Sequence, residues 1–226
     1  MSTAGTPHRS AVTPGGVVLP RDVRVVVFDV VGTLVEPWPT VPLAYRDAAR
    51  RHGIERDADE IRARFSAAWK RQEALDAAAQ PPHATSPDRE QDRWRSIVAD
   101  VFESHAAAEV IFADLWDHFG RPESWRPLPE GRAVAEMALE AGLDVALASN
   151  FDARLHAIAA VVEPLSWARH VFASSELGWR KPATEFFRAV ESRLGVQPHE
   201  LLLVGDDPQL DLAAAIRAGW HAHGIG

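Results

Sequence analysis

Val25-Val26-Val27-Phe28-Asp29-Val30-Val31-Gly32-Thr33 is the stretch whose reading decides the fold. A short, continuous β-branched and aromatic run suits a strand buried on both faces of a parallel sheet, whereas a strand with one wet face would alternate. The run stops at a carboxylate, and Gly32 marks the turn beyond it. Two further runs have the same grammar. Val145-Ala146-Leu147-Ala148 ends at Ser149 and follows a helical pattern over 130–141 that Gly142 closes. Leu201-Leu202-Leu203-Val204 ends at Gly205-Asp206-Asp207 and follows a helical pattern over 183–194 that Gly195 closes. Shorter strands are predicted over 170–173 and 221–225, the second after a helix over 208–218 with proline in its first turn and Gly219 past its end. Strand and helix alternate, which predicts an α/β fold: a doubly wound, mostly parallel, Rossmann-like sheet with helices on both faces.

Between the first two strands the chain runs from Leu34 to Leu143, far beyond the dozen or so residues a parallel crossover needs. Helical periodicity recurs in that span over 41–51, 57–79, 88–105 and 108–119, broken at Gly53, at Pro81-Pro82 and near Ala106. The expectation is a helical cap over 38–120 inserted into a core formed by 21–37 and 121–226. The first twenty residues, rich in Ser, Thr, Gly and Pro and without the apolar stretch of a secretory signal, read as a disordered tail.

Composition narrows the chemistry. With no cysteine, thiolate nucleophiles, thiolate metal sites and disulfides are excluded together. A formal net charge of −8 speaks against a nucleic-acid backbone as the main partner, which would require a basic footprint. No apolar run approaches the roughly 20 residues needed to span a bilayer. A cytoplasmic monomer or homodimer acting on a small anionic molecule is expected, with neither nucleic acid nor membrane as partner.

In a parallel sheet the carboxyl ends of the strands open on one crevice. Asp29, Ser149 and Asp206 should therefore face one another. Asp29 precedes a Gly32-Thr33 turn whose amides suit an anion, although an aspartate there can equally cap the turn. Asp206, Asp207 and Asp211 set three carboxylates at a strand-to-helix turn, an oxygen-rich environment of the kind Mg²⁺ prefers. Asp207 as helix N-cap and Asp211 as a first-turn acid are the competing readings. Ser149-Asn150 offers a hydroxyl and an amide, and Lys181, in a loop before a helix, offers a cation to the acids.

This ordered set, Asp29 with Gly32-Thr33, then Ser149-Asn150, then Lys181-Pro182, then Gly205-Asp206-Asp207 with Asp211, closely resembles the four motifs of the haloacid-dehalogenase-like hydrolase superfamily, in the form with a helical cap after the first motif. The resemblance implies that Asp29 attacks phosphorus and Ser149 binds a phosphoryl oxygen. Lys181 would neutralise charge, and Asp206 would hold Mg²⁺ with Asp29 and the Val31 carbonyl. Gly32, Thr33 and Asn150 are expected at the substrate, Asp207 at the metal, and Asp211 behind the ligands. It also exposes a departure: phosphatases of this superfamily carry a second aspartate two residues after the nucleophile, and Val31 stands there. General acid–base catalysis is worth roughly 10²–10⁴-fold. Three readings follow: a Mg²⁺-dependent phosphohydrolase for a small phosphorylated metabolite, a 2-haloacid dehalogenase whose halide needs no proton, or a catalytically impaired binding protein. Among cap residues, Trp38, Tyr45, Arg46, Trp69 and Arg71 are candidates to read the substrate, against a solvated arginine face and a small aromatic core. His221 and His223 share a strand face, a spacing compatible with a metal and equally with an exposed pair.

Overall fold

The computed structural model describes residues 17–103 and 106–226. Seven strands and nine α-helices appear in chain order among them: β1 (Val25–Phe28), β2 (Val35–Pro37), α1 (Val41–Arg51), α2 (Ala58–Ala78), α3 (Pro87–Val101), α4 (Ala108–His118), β3 (Trp125–Pro127), α5 (Pro129–Glu140), β4 (Asp144–Ser149), α6 (Arg154–Ala159), β5 (His170–Ala173), α7 (Ser174–Leu177), α8 (Thr184–Leu194), β6 (Leu201–Gly205), α9 (Ala214–Arg217) and β7 (His221–Gly224). Five strands form one sheet in the order β5-β4-β1-β6-β7. Every neighbouring pair in it is parallel, so the doubly wound α/β architecture holds.

The two-residue period of β1 explains the layers. Val26 and Phe28 point to one face, where Val134 and Ala138 of α5 and Leu155 and Ile158 of α6 cover them. Val25 and Val27 point to the other, against Phe186, Phe187 and Val190 of α8 and Ala214 and Ala215 of α9. Each fully buried side chain of this size contributes about 1.5–3 kcal/mol, which is why β1 is the centre of the sheet and has no polar residue before Asp29. The core reaches further back than expected: Val17 is fully buried beside Val23, and Leu19 packs against them. The disordered-tail expectation for 1–20 is thus corrected from Val17 onward, and residues 1–16 lie outside the described ones. A two-stranded antiparallel ribbon of β2 and β3, which the sequence did not signal, ties the two ends of the insertion together.

Helices α1–α4 bury a separate cluster that includes Tyr45, Ile61, Ile97, Phe102, Ile111 and Leu115. The α2–α3 connection docks on the segment that carries Lys181: Thr85 N–H donates to the Gly178 carbonyl and Arg180 N–H to the His83 carbonyl, each at 2.9 Å. Behind these bonds lies a buried ion cluster, in which the Arg180 guanidinium donates to Glu90 at 2.5 Å and lies 3.6 Å from Asp76, itself paired with Arg93. Removing one member of such a cluster leaves buried charge uncompensated. Arg180→Met should cost about 3–5 kcal/mol, read as a lower urea midpoint with an unchanged slope; a midpoint equal to wild type would show that the cluster contributes nothing to folding.

Candidate active site

β1, β4 and β6 end at the same rim and deliver three functional side chains to it. Asp29 follows β1 directly, and its N–H still donates to the Val204 carbonyl at 2.9 Å, so the carboxylate leaves the sheet in a fixed direction. Ser149, the last residue of β4, donates its hydroxyl to Asp29 Oδ1 at 3.0 Å. Lys181 Nζ donates to the same oxygen at 2.6 Å and to Asp211 Oδ1 at 2.5 Å. Both side-chain donors on Asp29 take Oδ1, which leaves Oδ2 without a side-chain donor among the described residues. Lysine and both carboxylates are buried. Burial disfavours the Lys181 ammonium, yet the fields of Asp29 and Asp211 outweigh it and raise its pKa above the usual lysine value, so it stays a cation.

One ligand atom from each of Asp29, Asp206 and Asp211 falls within 4.8 Å of the others, the only such grouping of acids and histidines among the described residues. Asp206 opens to solvent and Asp211 is buried. Loss of hydration raises the pKa of Asp206, and the neighbouring Asp211 adds to it; burial likewise raises Asp211, against the pull of Lys181. Three carboxylates against one lysine leave excess negative charge, and an all-oxygen donor set of that charge suits a hard divalent cation such as Mg²⁺.

The local chain explains this convergence. Gly32 has φ +91°, and a Cβ there would collide with the Asp206 carboxylate, so only glycine lets the two turns meet. After β6 the chain enters a wide helical turn in which Leu212 N–H reaches back five residues to the Asp207 carbonyl at 3.2 Å. Asp211 lies within this turn, beneath the sheet end and against Gly205, where a Cβ would strike it at 2.5 Å.

Several expectations need correction. Asp207 was placed at the metal; its Oδ1 instead accepts from the N–H groups of Gln209 and Leu210 at 2.7 and 2.8 Å, as a helix N-cap, and Asp211 takes the position within the acid cluster. Gly32 and Thr33 were expected at the substrate, but Gly32 N–H donates to the Val35 carbonyl and the fully buried Thr33 donates its hydroxyl to Asp206 Oδ1 at 3.0 Å. They orient Asp206. Asn150 bonds the Lys181 backbone on both sides, accepting from its N–H at 2.8 Å and donating to its carbonyl at 3.1 Å, and so positions the lysine. His221 and His223 belong to no metal-binding grouping.

A cavity of about 520 Å³ runs from Asp29, Val31, Ser149 and Lys181 into the helical insertion, where Tyr45 and Trp69 line it. Arg46 and Arg71 are instead held in ion pairs with Asp47 and Asp100, and Trp38 lies under the Arg126 guanidinium. Arg154, which sequence reasoning passed over, lines the cavity while gripping Asp152 through two donors at 2.8 and 2.7 Å.

Comparison with known proteins agrees with this fold. A haloacid dehalogenase-like hydrolase domain-containing protein 3 from Bos taurus is 27% identical over 204 residues, 88% of this chain and 80% of the relative. A phosphoserine phosphatase from Thermus thermophilus is 27% identical over 230 residues, covering 89% of this chain and 90% of its own. The crystal structure of a defluorinating L-2-haloacid dehalogenase shares the fold with a TM-score of 0.72 at 22% identity, over 97% of this chain and 85% of that one. The family described as haloacid dehalogenase-like hydrolase matches residues 23–219, and the chain belongs to it.

Proposed function

We propose that the chain is a Mg²⁺-dependent phosphohydrolase that cleaves a small phosphorylated, anionic substrate through an aspartyl-phosphate on Asp29. The observation that carries this reading is the lysine held between Asp29 and Asp211 with Asp206 close enough to share a cation, all at the polar end of one cavity. Phosphoryl transfer spreads charge over equatorial oxygens, and its catalysis is mainly positioning and electrostatic stabilisation. Asp29 Oδ2 attacks phosphorus while Ser149 and Lys181 hold the carboxylate in place and meet the phosphoryl oxygens. Asp29, Asp206 and Asp211 would hold Mg²⁺, with the Val31 carbonyl as a further ligand; when bound, the ion supplies positive charge to the phosphoryl group. Water then attacks the aspartyl-phosphate and restores the carboxylate. The helices over 38–120 act as a cap that closes the cavity over the substrate.

Val31 supports a second reading, a 2-haloacid dehalogenase, because halide leaves without a proton. Three acids beside a single lysine count against it, since a carboxylate substrate would meet net negative charge unless a cation were present. The deciding experiment measures phosphate released from acetyl phosphate with and without chelator, beside halide released from 2-chloropropionate. Metal-dependent phosphate release supports the proposal. Chelator-insensitive halide release would replace it with the dehalogenase, and neither product would leave a binding protein.

Because the acids repel one another without a cation, Mg²⁺ should raise the melting temperature. At one hundred times its dissociation constant the linkage is about 2.7 kcal/mol, or roughly 5–10 °C for a chain of this length. Chelator should reverse the shift in a thermal scan; a melting temperature insensitive to Mg²⁺ would count against the cation site.

A further inference from the structure

The cavity is larger than a phosphate requires, and its two ends differ in kind. Near Asp29 it is polar. Beyond, its walls are aromatic: Tyr45, Phe65, Trp69, Phe112, Trp116 and Phe151 all line it. Two cations reach this end, and both are already paired. Arg154 holds both oxygens of Asp152 and stacks 3.4 Å above the Trp116 ring, and Arg62 is bonded to Asp59. The far end therefore offers a substrate π-faces and no unpaired charge, which suits a flat apolar group.

The proton inventory of the same cavity points the same way. Among the described residues no histidine lines it, and each of its carboxylates is committed: Asp29 to attack, Asp206 and Asp211 to the cation and Lys181, Asp152 to Arg154, Asp207 to the helix N-terminus. Among the described residues that line the cavity no carboxylic acid or histidine remains to protonate a departing oxygen, burial raises the pKa of the Tyr45 phenol and makes it a poor acid, and Val31 sits where the resemblance places an aspartate. An alcohol, with a pKa near that of water at ~16, leaves poorly without such an acid. A phenol, with a pKa of about 10 like the tyrosine side chain, leaves as its anion.

On the phosphohydrolase reading above, we infer that the substrate class is aryl phosphates: the aromatic ring stacks between the insertion's rings while its phosphoryl group lies on Asp29. Asp29 Oδ2 bonds to phosphorus as the phosphorus–aryl oxygen bond breaks, and the electron pair departs on the phenolate. The phenolate takes its proton from bulk water after release. Water oxygen then bonds to phosphorus, the aspartyl–phosphorus bond breaks, and the water proton leaves with the phosphate.

The test is kcat/KM with Mg²⁺ for phenyl, 4-nitrophenyl and 2-naphthyl phosphate beside glycerol phosphate and glucose 6-phosphate. Aryl esters should exceed alkyl esters by at least ~10²-fold, and the second ring of the naphthyl ester should add about tenfold through burial. Trp69→Leu, which keeps an apolar side chain in the helical cluster, should narrow the naphthyl-to-phenyl ratio. Equal rates for alkyl and aryl esters would overturn the aryl assignment and leave the phosphohydrolase standing. No phosphate from any of the five esters, with no phosphate label on Asp29, would overturn the phosphohydrolase reading itself.

Discussion

Asp29→Asn should lower kcat for phosphate release by on the order of 10⁴-fold or more, the scale seen when a nucleophile is removed from a preorganised site. The neutral amide cannot form the acyl-phosphate bond, so chemistry is lost at its first step. Folding should survive, because Lys181 keeps its 2.5 Å bond to Asp211 and the amide oxygen can still accept from Ser149. One acid fewer also weakens cation binding. The measurement pairs steady-state phosphate release with acid-quenched labelling from radioactive phosphate ester: label on the wild-type chain, none on the variant, and a native-like melting curve for both. A variant that keeps more than a few per cent of wild-type turnover would remove Asp29 from the mechanism.

The second large effect concerns Val31. With an aryl leaving group the first step needs no acid, but the second still needs a base to activate water, and the cavity offers none to spare. A burst of one equivalent of phenolate per enzyme should therefore precede a slow steady state. Val31→Asp should abolish the burst and raise steady-state turnover by roughly 10²–10³-fold, the usual worth of general acid–base catalysis. It should also bring alkyl phosphates into range. The position accepts the change: Val31 is 37% exposed and lines the cavity. A carboxyl placed beside Asp29 and Asp206 would have its pKa raised by their charge, which suits a group that must give and then take a proton. Stopped-flow absorbance of 4-nitrophenolate distinguishes the cases; linear release from wild type together with an unimproved variant would show that another group moves the proton.

How far the sequence could be read is clearest in particular residues. The strand runs at Val25, Val145 and Leu201 appear in the structure because a strand buried on both faces is specified by its own composition, without reference to any partner. Asp29, Ser149 and Asp206 could be placed on one rim for the same reason: each is the residue at which a buried run stops. Asp207 and Asp211 could not be told apart in this way. Both lie within the same turn, and their roles depend on a wide helical turn that no local propensity announces. Thr33 and Asn150 look like substrate contacts by position, yet one is used on Asp206 and the other on the Lys181 backbone.

By itself, then, the sequence determined the parallel α/β core, the helical insertion and the four chain segments that carry reactive groups, because these depend on burial periodicity and turn chemistry within a few residues. Only the tertiary structure decided that Lys181 bridges Asp29 and Asp211, that Asp207 caps a helix, that Arg180 ties the insertion to the lysine loop, and that the cavity's far wall is aromatic. Those facts arise where residues distant along the chain meet, and the energy of a buried charge or a stacked ring is set by what lies opposite it, which only the assembled fold supplies.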